Sequence, residues 1–407
     1  KNWAMEQSEI KQLLQRKIFH HPSAKQFNPY SQQVLKKLSD CHTVRLGMHV
    51  YGCNNCTHQH YQYHSCGNRH CPNCGGLKRE QWLQDRRSEL LPTSYLHIVF
   101  TLPQELRNLV MGNRKALFSL IFEASTYTLR KLGDDEKYLG GTPGIISVLH
   151  TNGQDLTFHP HVHCIVTGGG LSKSGKWVPQ KREKGNFLFP RRAMEKMFKG
   201  YFLDKLKALQ KEQKLQIVDE DALEKVLENV RYKKWNVYAK APFAGPEQIV
   251  EYLGRYTHKV AISTHRILEI TETSITFKYK DYRDKNQQKE MTLSLEEFLR
   301  RFEQHLLPQG FVKIRHSGFL SHQNKGKRLA AICEQLKIAA PPPKVILPVA
   351  VLAAMTYGKD IAQCTVCKTG RLLLRATYVN IAKQGVHLVD AAKLQNRGSP
   401  IKIQQPA

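Results

Sequence analysis

The chain has 407 residues, enough for more than one domain, and carries 62 Lys and Arg against 34 Asp and Glu, a formal net charge of +28. An excess of that size favours a polyanionic partner. The longest apolar run, Val345 to Met355, is interrupted by Pro348 and falls well short of the ~20 residues that cross a bilayer. The polar opening Lys1-Asn2-Trp3-Ala4-Met5-Glu6 shows no secretory signal, so the expectation is a cytoplasmic, reducing setting in which the 10 cysteines bind metal rather than pair as disulfides.

Residues 1–40 are basic and helical in pattern. Next come two Cys-x-x-Cys knuckles across a short loop, Cys53-Asn54-Asn55-Cys56 and Cys71-Pro72-Asn73-Cys74. That is the spacing of a tetrahedral structural zinc site, and Cys53, Cys56, Cys71 and Cys74 are its expected ligands. The loop also holds His58, His60, His64, Cys66 and His70, more donors than one ion uses. Either a second zinc is bound, with Cys66 and His70 as candidates, or the extra histidines contact DNA; a single ion is the simpler reading. Tyr51, Tyr61, Tyr63 and Arg69 suit base stacking and phosphate contact, and the tyrosines equally suit packing around a small zinc core. A charged helix over 76–91 closes a module spanning 41–90.

Tyr95 to Leu102 reads as an apolar strand, and 104–132 as one long or two short helices. Two further β-rich runs, 145–151 and 156–167, flank Thr151-Asn152-Gly153-Gln154, and Asn-Gly between such runs signals a hairpin. The second contains His159-Pro160-His161-Val162-His163 and runs into Gly168-Gly169-Gly170, expected to be a mobile exit. Residues two apart on a strand share a face, so His161 and His163 can grip one ion, and the hairpin brings His150 across to them. Three imidazoles with open positions suit a catalytic divalent ion. His159 is read as a neighbour of that ion, and Gln154 and Asp155 as fallback ligands.

Charged helices over 191–213 and 219–230 precede a strand over 231–240. Gly245 to His258 then reads as a helix with Tyr252 and Tyr256 at i and i+4, both phenols on one face. Two tyrosines at that spacing more often pack a core than do chemistry, but Gly254 within the helix costs ~1 kcal/mol and invites a reason such as close approach of a ligand. Arg255, His258 and Lys259 make the surroundings cationic. Strands over 267–271, 275–280 and 290–293 form a meander, followed by a helix over 294–305. Lys313, Arg315, Lys325 and Arg328 belong to a basic stretch that is a DNA-contact candidate or simply a solvated face. Ala340-Pro341-Pro342-Pro343 marks a boundary. Beyond it Cys364-Thr365-Val366-Cys367 has no matching second pair, leaving an incomplete site, a site borrowing histidines, or a tight turn. The order of elements implies an α+β fold, an antiparallel sheet backed by helices. The domains expected are 1–40, 41–90, 91–265, 266–340 and 341–407.

His161-Val162-His163, followed by a helix bearing Tyr252-Leu253-Gly254-Arg255-Tyr256 and preceded by Ser65-Cys66-Gly67-Asn68-Arg69-His70-Cys71-Pro72-Asn73-Cys74, closely resembles the two-tyrosine HUH transposases of rolling-circle bacterial insertion sequences, of the insertion sequence 91 type. The resemblance spans roughly residues 30 to 335, with its motifs in the family's order. A histidine eleven residues before the HUH pair is the third metal ligand in the related conjugative relaxases, and His150 fills that position, although relaxases place their tyrosine before the histidines. The resemblance implies an HUH endonuclease domain over 91–265, single-stranded transposon ends as the DNA partner, and a bacterial, nucleoid-associated protein.

The chemistry follows from the residues as well. A phenol with pKa about 10 is a poor nucleophile unless its target phosphate is activated or its proton drawn off. Mg²⁺ or Mn²⁺ on His150, His161 and His163 would do the first, with attack leaving a 5′-phosphotyrosine and a free 3′-hydroxyl. The covalent link conserves the energy of the broken bond, in keeping with the lack of a Gly-x-x-x-x-Gly-Lys-Ser/Thr loop. A plasmid replication initiator or relaxase shares this chemistry; a non-enzymatic zinc-finger DNA-binding regulator is the alternative from another class.

Overall fold

A computed structural model of the chain describes residues 7–180, 188–243, 248–249, 252, 254, 261–282, 284–381 and 385–389. Among them the strands are, in chain order, β1 (Met48–Cys53), β2 (Gln59–Tyr63), β3 (Tyr95–Thr101), β4 (Thr142–Asn152), β5 (Phe158–Leu171), β6 (Trp177–Pro179), β7 (Val237–Phe243), β8 (Ile267–Ile270), β9 (Ser274–Asp281), β10 (Gln287–Ser294), β11 (Ile314–Ser317), β12 (Leu372–Ile381) and β13 (Gly385–Val389). The chain divides into two compact units, one of 1–85, 258–303 and 344–407, the other of 86–257 and 304–343. Helices and antiparallel sheets make up both, the α+β class expected. No helix among the described residues is long and apolar enough to cross a membrane.

The unit of 86–257 and 304–343 is built on an antiparallel sheet ordered β11-β4-β5-β3-β7, with β6 paired to the far end of β5. Alternation along β5 sends Val162, Cys164 and Val166 to one face, where all three are fully buried. Leu96, Ile98 and Phe100 of β3 join them there, packed under Phe118, Ile121 and Phe122 of the helix Arg114–Asp134 and Phe198 and Phe202 of the helix Arg191–Lys211. The 104–132 region resolves into two helices because Asn113 leaves the helical conformation at φ −127° and ψ 37°. Its side chain is held instead, donating to the Gln216 carbonyl at 2.9 Å and accepting from the Gln216 N–H at 2.7 Å. The strand expected from residue 231 starts later: the second helix there runs to Tyr232, and β7 begins after Trp235, which is buried and donates its indole N–H to the Val230 carbonyl at 2.9 Å.

The unit of 1–85, 258–303 and 344–407 contains two sheets. The β8-β9-β10 meander meets the helix Leu295–Gln304, whose Leu295, Phe298, Leu299 and Phe302 form a buried stripe at i, i+3, i+4 and i+7. Phe298 packs against Phe277 of β9, and Phe302 against Phe19. The other sheet is ordered β13-β12-β1-β2, so that residues expected to form a C-terminal tail instead supply β12, the antiparallel neighbour of β1, with Cys53 opposite Leu372.

Gly168, Gly169 and Gly170 were expected as a mobile exit, and the structure corrects this. They are buried within β5, Gly169 and Gly170 pairing with Pro179 and Val178 of β6. A Cβ on Gly170 would lie 2.7 Å from the Gly141 carbonyl oxygen and 2.8 Å from the Thr142 carbonyl carbon, so close backbone approach, rather than mobility, calls for glycine here. Gly170→Ala is therefore expected to destabilise the folded state by about 1–3 kcal/mol, because the clash is with main chain that cannot rotate away. Equilibrium denaturation checks it; an unchanged midpoint would show that the strands part at no cost.

Candidate functional site

The face of β5 opposite the core carries His159, His161 and His163. His150 of β4 sits directly across from His161, and Val148 from His163. One ligand atom from each of His150, His161 and His163 lies within 4.8 Å of the others. Nδ1–H of His161 donates to the His159 carbonyl at 2.6 Å, which leaves Nε2 with the lone pair. Burial, then the His159 ring, hold the His161 imidazole down at about 4. Burial, followed by the rings of His150, His161 and His97 and the charge of Lys313, keeps His163 well below the ordinary imidazole value. Both are therefore neutral near pH 7, the form a metal requires. His159 stays outside the cluster, its Nδ1 3.4 Å from the Arg107 guanidinium. Asp155, a fallback ligand, is used in the turn, accepting from the Thr157 hydroxyl at 2.7 Å.

Gln248, Ile249, Tyr252 and Gly254 are helical. The Tyr252 hydroxyl lies 2.8 Å from Nδ1 of His163 and 2.6 Å from Nε2 of His97. Those two nitrogens are themselves 2.8 Å apart, their rings parallel to within 4°. His97 is not among the residues singled out from sequence. It reaches the site because β3 pairs with β5 so that Val99 faces His163, which places His97 diagonally on the same face. A lone histidine in an apolar strand carries little signal; the histidine-rich neighbour strand was the clue. Tyr256, Arg255 and Lys259 lie outside the described residues.

The turn between β4 and β5 spans 153–157 rather than the 151–154 expected, and within it Leu156 takes a left-handed conformation at φ 62° and is buried. His305 pins this turn from below: its Nε2–H donates to the Leu156 carbonyl at 3.1 Å, and its Nδ1 lies 3.1 Å from the Thr151 hydroxyl.

The cysteines group differently from the expectation. Cys71 and Cys74 cluster with Cys41 and Cys66, while Cys53 and Cys56 cluster with Cys364 and Cys367, each set within 4.8 Å. The two knuckles therefore do not share a site, and Cys41 was missed because no second cysteine marks it. In the first set Cys41 and Cys71 are 3.5 Å apart, Cys66 and Cys74 3.6 Å, and Cys41 and Cys74 3.9 Å. A tetrahedron of sulfurs at about 2.3 Å from zinc has edges of about 3.8 Å, so this set fits the ion. Cys66 is thus a member of the first set, whereas His70 is buried outside both, its N–H bonded to Asn68. Arg69 is exposed.

Three cations expected to meet DNA are engaged within the fold. The Arg315 guanidinium stacks 4.4 Å over Phe122 and donates to Ser119 at 3.1 Å. Lys325 is ion-paired with Glu89. Arg328 donates to the Ser321 carbonyl and hydroxyl at 2.8 Å. Lys313, half-buried, stands beside the histidines, its carbonyl accepting from Leu149 at 3.0 Å.

Residues 10–102 match the family described as "Transposase zinc-binding domain", and residues 144–328 the family described as "Putative transposase". The chain is 39% identical over 358 residues to "Putative transposase y4qJ" of Sinorhizobium fredii (strain NBRC 101917 / NGR234), a match covering 84% of this chain and 88% of that protein. It is 31% identical over 377 residues to the "Transposase for insertion sequence element IS801" of Pseudomonas savastanoi pv. phaseolicola, covering 90% and 88%. No solved structure matches the chain significantly. The class this defines is a DNA transposase. Within it, the chain belongs to the insertion sequence 91 type, with that family's zinc-binding domain near its N-terminal end.

His305 gives the site a pH signature. Burial holds its imidazole down at about 4, whereas in the unfolded chain it titrates near ~6.5, so protons favour unfolding. Its contribution to stability is complete above pH ~6.5 and lost as the pH falls toward about 4. In His305→Gln the loss of stability across that window should be shallower than in the parent, as read by denaturation at stepped pH; parallel curves would show that His305 takes no part.

Proposed function

We propose that this transposase nicks single-stranded DNA at transposon ends and joins it elsewhere through a 5′-phosphotyrosine, the rolling-circle chemistry of HUH enzymes. The observation that carries it is the Tyr252 hydroxyl held between His163 and His97 at 2.8 and 2.6 Å, beside a three-histidine cluster. A divalent ion, Mg²⁺ or Mn²⁺, on His150, His161 and His163 supplies Lewis-acid polarisation of the scissile phosphate when bound. The three imidazoles fit such an ion because they converge and burial keeps His161 and His163 neutral. With Nε2 of His163 turned to the cluster, its Nδ1 keeps the hydrogen and donates to the phenol oxygen. The phenol proton is then directed at Nε2 of His97, which accepts it as the oxygen attacks phosphorus. The new bond is Tyr252 Oη to phosphorus, the bond broken is phosphorus to O3′, and the 3′-oxygen leaves and takes up a proton from water to become a hydroxyl, balancing the one His97 accepted.

Tyr256, four residues on in the sequence, is suited to serve a second strand, the reason to value a pair over one phenol. Lys313 beside the histidines, with Arg255 and Lys259 following the first tyrosine in sequence, is the cation set for the phosphodiester. In the zinc module, Cys41, Cys66, Cys71 and Cys74 hold a structural Zn²⁺, and exposed Tyr61, Tyr63 and Arg69 offer stacking and phosphate contact.

Incubating the full chain with a single-stranded oligonucleotide of its own transposon end and Mg²⁺ or Mn²⁺ should give a protein–DNA adduct that survives denaturing electrophoresis. Tyr252→Phe is expected to abolish the first adduct and His161→Ala to remove it together with Mn²⁺ binding. His97→Gln should slow its formation by ~10²–10⁴-fold and remove a basic group from the pH–rate profile. No adduct under any metal would sink the enzyme reading; an undiminished adduct in Tyr252→Phe would move the nucleophile elsewhere.

A further inference from the structure

Cys53, Cys56, Cys364 and Cys367 form a set of four sulfurs that the transposase chemistry does not use. Two of them lie inside the matched zinc-binding domain and two far beyond it, Cys56 and Cys364 being 308 residues apart in the chain. We propose that these four hold a second structural Zn²⁺, so that the zinc module is closed by a C-terminal segment outside the stretch recognised as its domain.

The geometry has the dimensions of that ion. Cys53 and Cys367 sulfurs are 3.7 Å apart and Cys56 and Cys364 sulfurs 3.8 Å. Those are the edges of an S₄ tetrahedron around zinc, about 3.8 Å, and nearly twice the ~2.05 Å of a disulfide. Each half is a turn that presents its sulfurs to a common centre and supports them with main-chain N–H groups. The Asn55 N–H points to the Cys53 sulfur at 3.3 Å, and the Gly370 N–H to the Cys367 sulfur at 3.2 Å. Such bonds to the charged sulfur are the usual outer support of a thiolate site. The turn after Cys367 reverses through Lys368 at φ 59° and brings Gly370 against the other half. A Cβ there would stand 2.3 Å from the Cys53 sulfur, so a residue with any side chain would push the two knuckles apart.

The halves are also laced by main chain. The Asn54 N–H donates to the Arg371 carbonyl at 3.1 Å, and the Arg371 N–H to the Asn54 side chain at 2.8 Å; β1 and β12 continue the pairing away from the cysteines. Among the described residues the core here is small. The buried cluster here is Cys53, Cys364 and Leu372, with Tyr51, Cys56 and Cys367 packed against it. An apolar nucleus that small does not hold a fold, which is the circumstance in which structural zinc replaces one. Thiolate donors alone select zinc over Mg²⁺ or Mn²⁺ and separate this site from the three-histidine cluster.

The test is zinc counting by elemental mass spectrometry on the full chain, purified with reductant and without added metal. The expected result is two Zn²⁺ per chain, falling to one in Cys364→Ser/Cys367→Ser and to one in Cys66→Ser/Cys71→Ser. The second variant reports on the Cys41 set alone, so failure of that assignment is distinguishable from failure of this one. Since the serine variants can lose their fold, Cys367→His serves as a control that keeps four donors. It should retain two ions, and its Co²⁺-substituted form should show altered thiolate-to-cobalt bands. Brief chelation should make the chain past residue 344 several-fold more sensitive to protease in the parent. One zinc per chain in the parent, unchanged by Cys364→Ser/Cys367→Ser, overturns the proposal, as does iron in place of zinc.

Discussion

The register between β4 and β5 is the constraint on which the histidine face depends. His150 stands opposite His161, and Leu149 opposite Val162. The side chains that converge on the proposed ion and those that anchor the sheet in the core are thus adjacent links of the same two strands. A one-residue slip would exchange the faces, burying imidazoles among Phe118, Phe122 and Phe198 and exposing Val162, Cys164 and Val166. The hydrophobic cost of that exchange is what fixes the histidines. Each fully buried aliphatic side chain is worth roughly 1.5–3 kcal/mol, so Val162 and Val166 alone hold the register far more firmly than weak hydrogen bonds among the rings could. The ligand geometry is a by-product of packing on the other side of the sheet.

That explains which parts of the site were legible in the sequence. His161 and His163 are two residues apart, and His150 follows from a hairpin; strand period and local turn chemistry suffice to bring them together. Tyr252 was legible through its motif, not through physics. His97 was not legible, because it reaches the phenol only by the pairing of β3 with β5, a contact across 66 residues that no local pattern encodes. The turn lies at 153–157 rather than at 151–154 for a similar reason: burial of Leu156 and its contact with His305 are tertiary, and no local pattern encodes them.

The cysteines show the same limit from the other side. Two Cys-x-x-Cys pairs separated by a short loop fit one tetrahedral site so well by spacing that the leftover pair at Cys364 and Cys367 was left without a partner. Loop closure grows more costly only slowly with length, by ~0.6 kcal/mol per doubling, so nearness in sequence is a weak guide to which pairs meet. Strand pairing decides instead. Once β12 lies against β1 with Leu372 opposite Cys53, the distant pair is delivered to the first knuckle, and Cys71 and Cys74 are left to Cys41 and Cys66.

Charge carries a related lesson about where binding energy resides. A net charge of +28 attracts a polyanion at long range wherever its cations point, yet it does not identify contact residues. Arg315, Lys325 and Arg328 come from one basic stretch, and each is spent on an aromatic ring, an ion pair or a carbonyl inside the fold. Arg315 shows why: burial lowers its guanidinium pKa and removes water from it, and two aromatic faces compensate. Lys313 behaves differently. It sits at the edge of the histidine face, and its field helps to keep His163 neutral. One cation placed there favours the neutral, metal-binding form of the imidazole and, in the reaction proposed above, would draw the phosphate toward it; the two effects reinforce each other because protonation of His163 and binding of an anion respond to the same local potential with opposite sign.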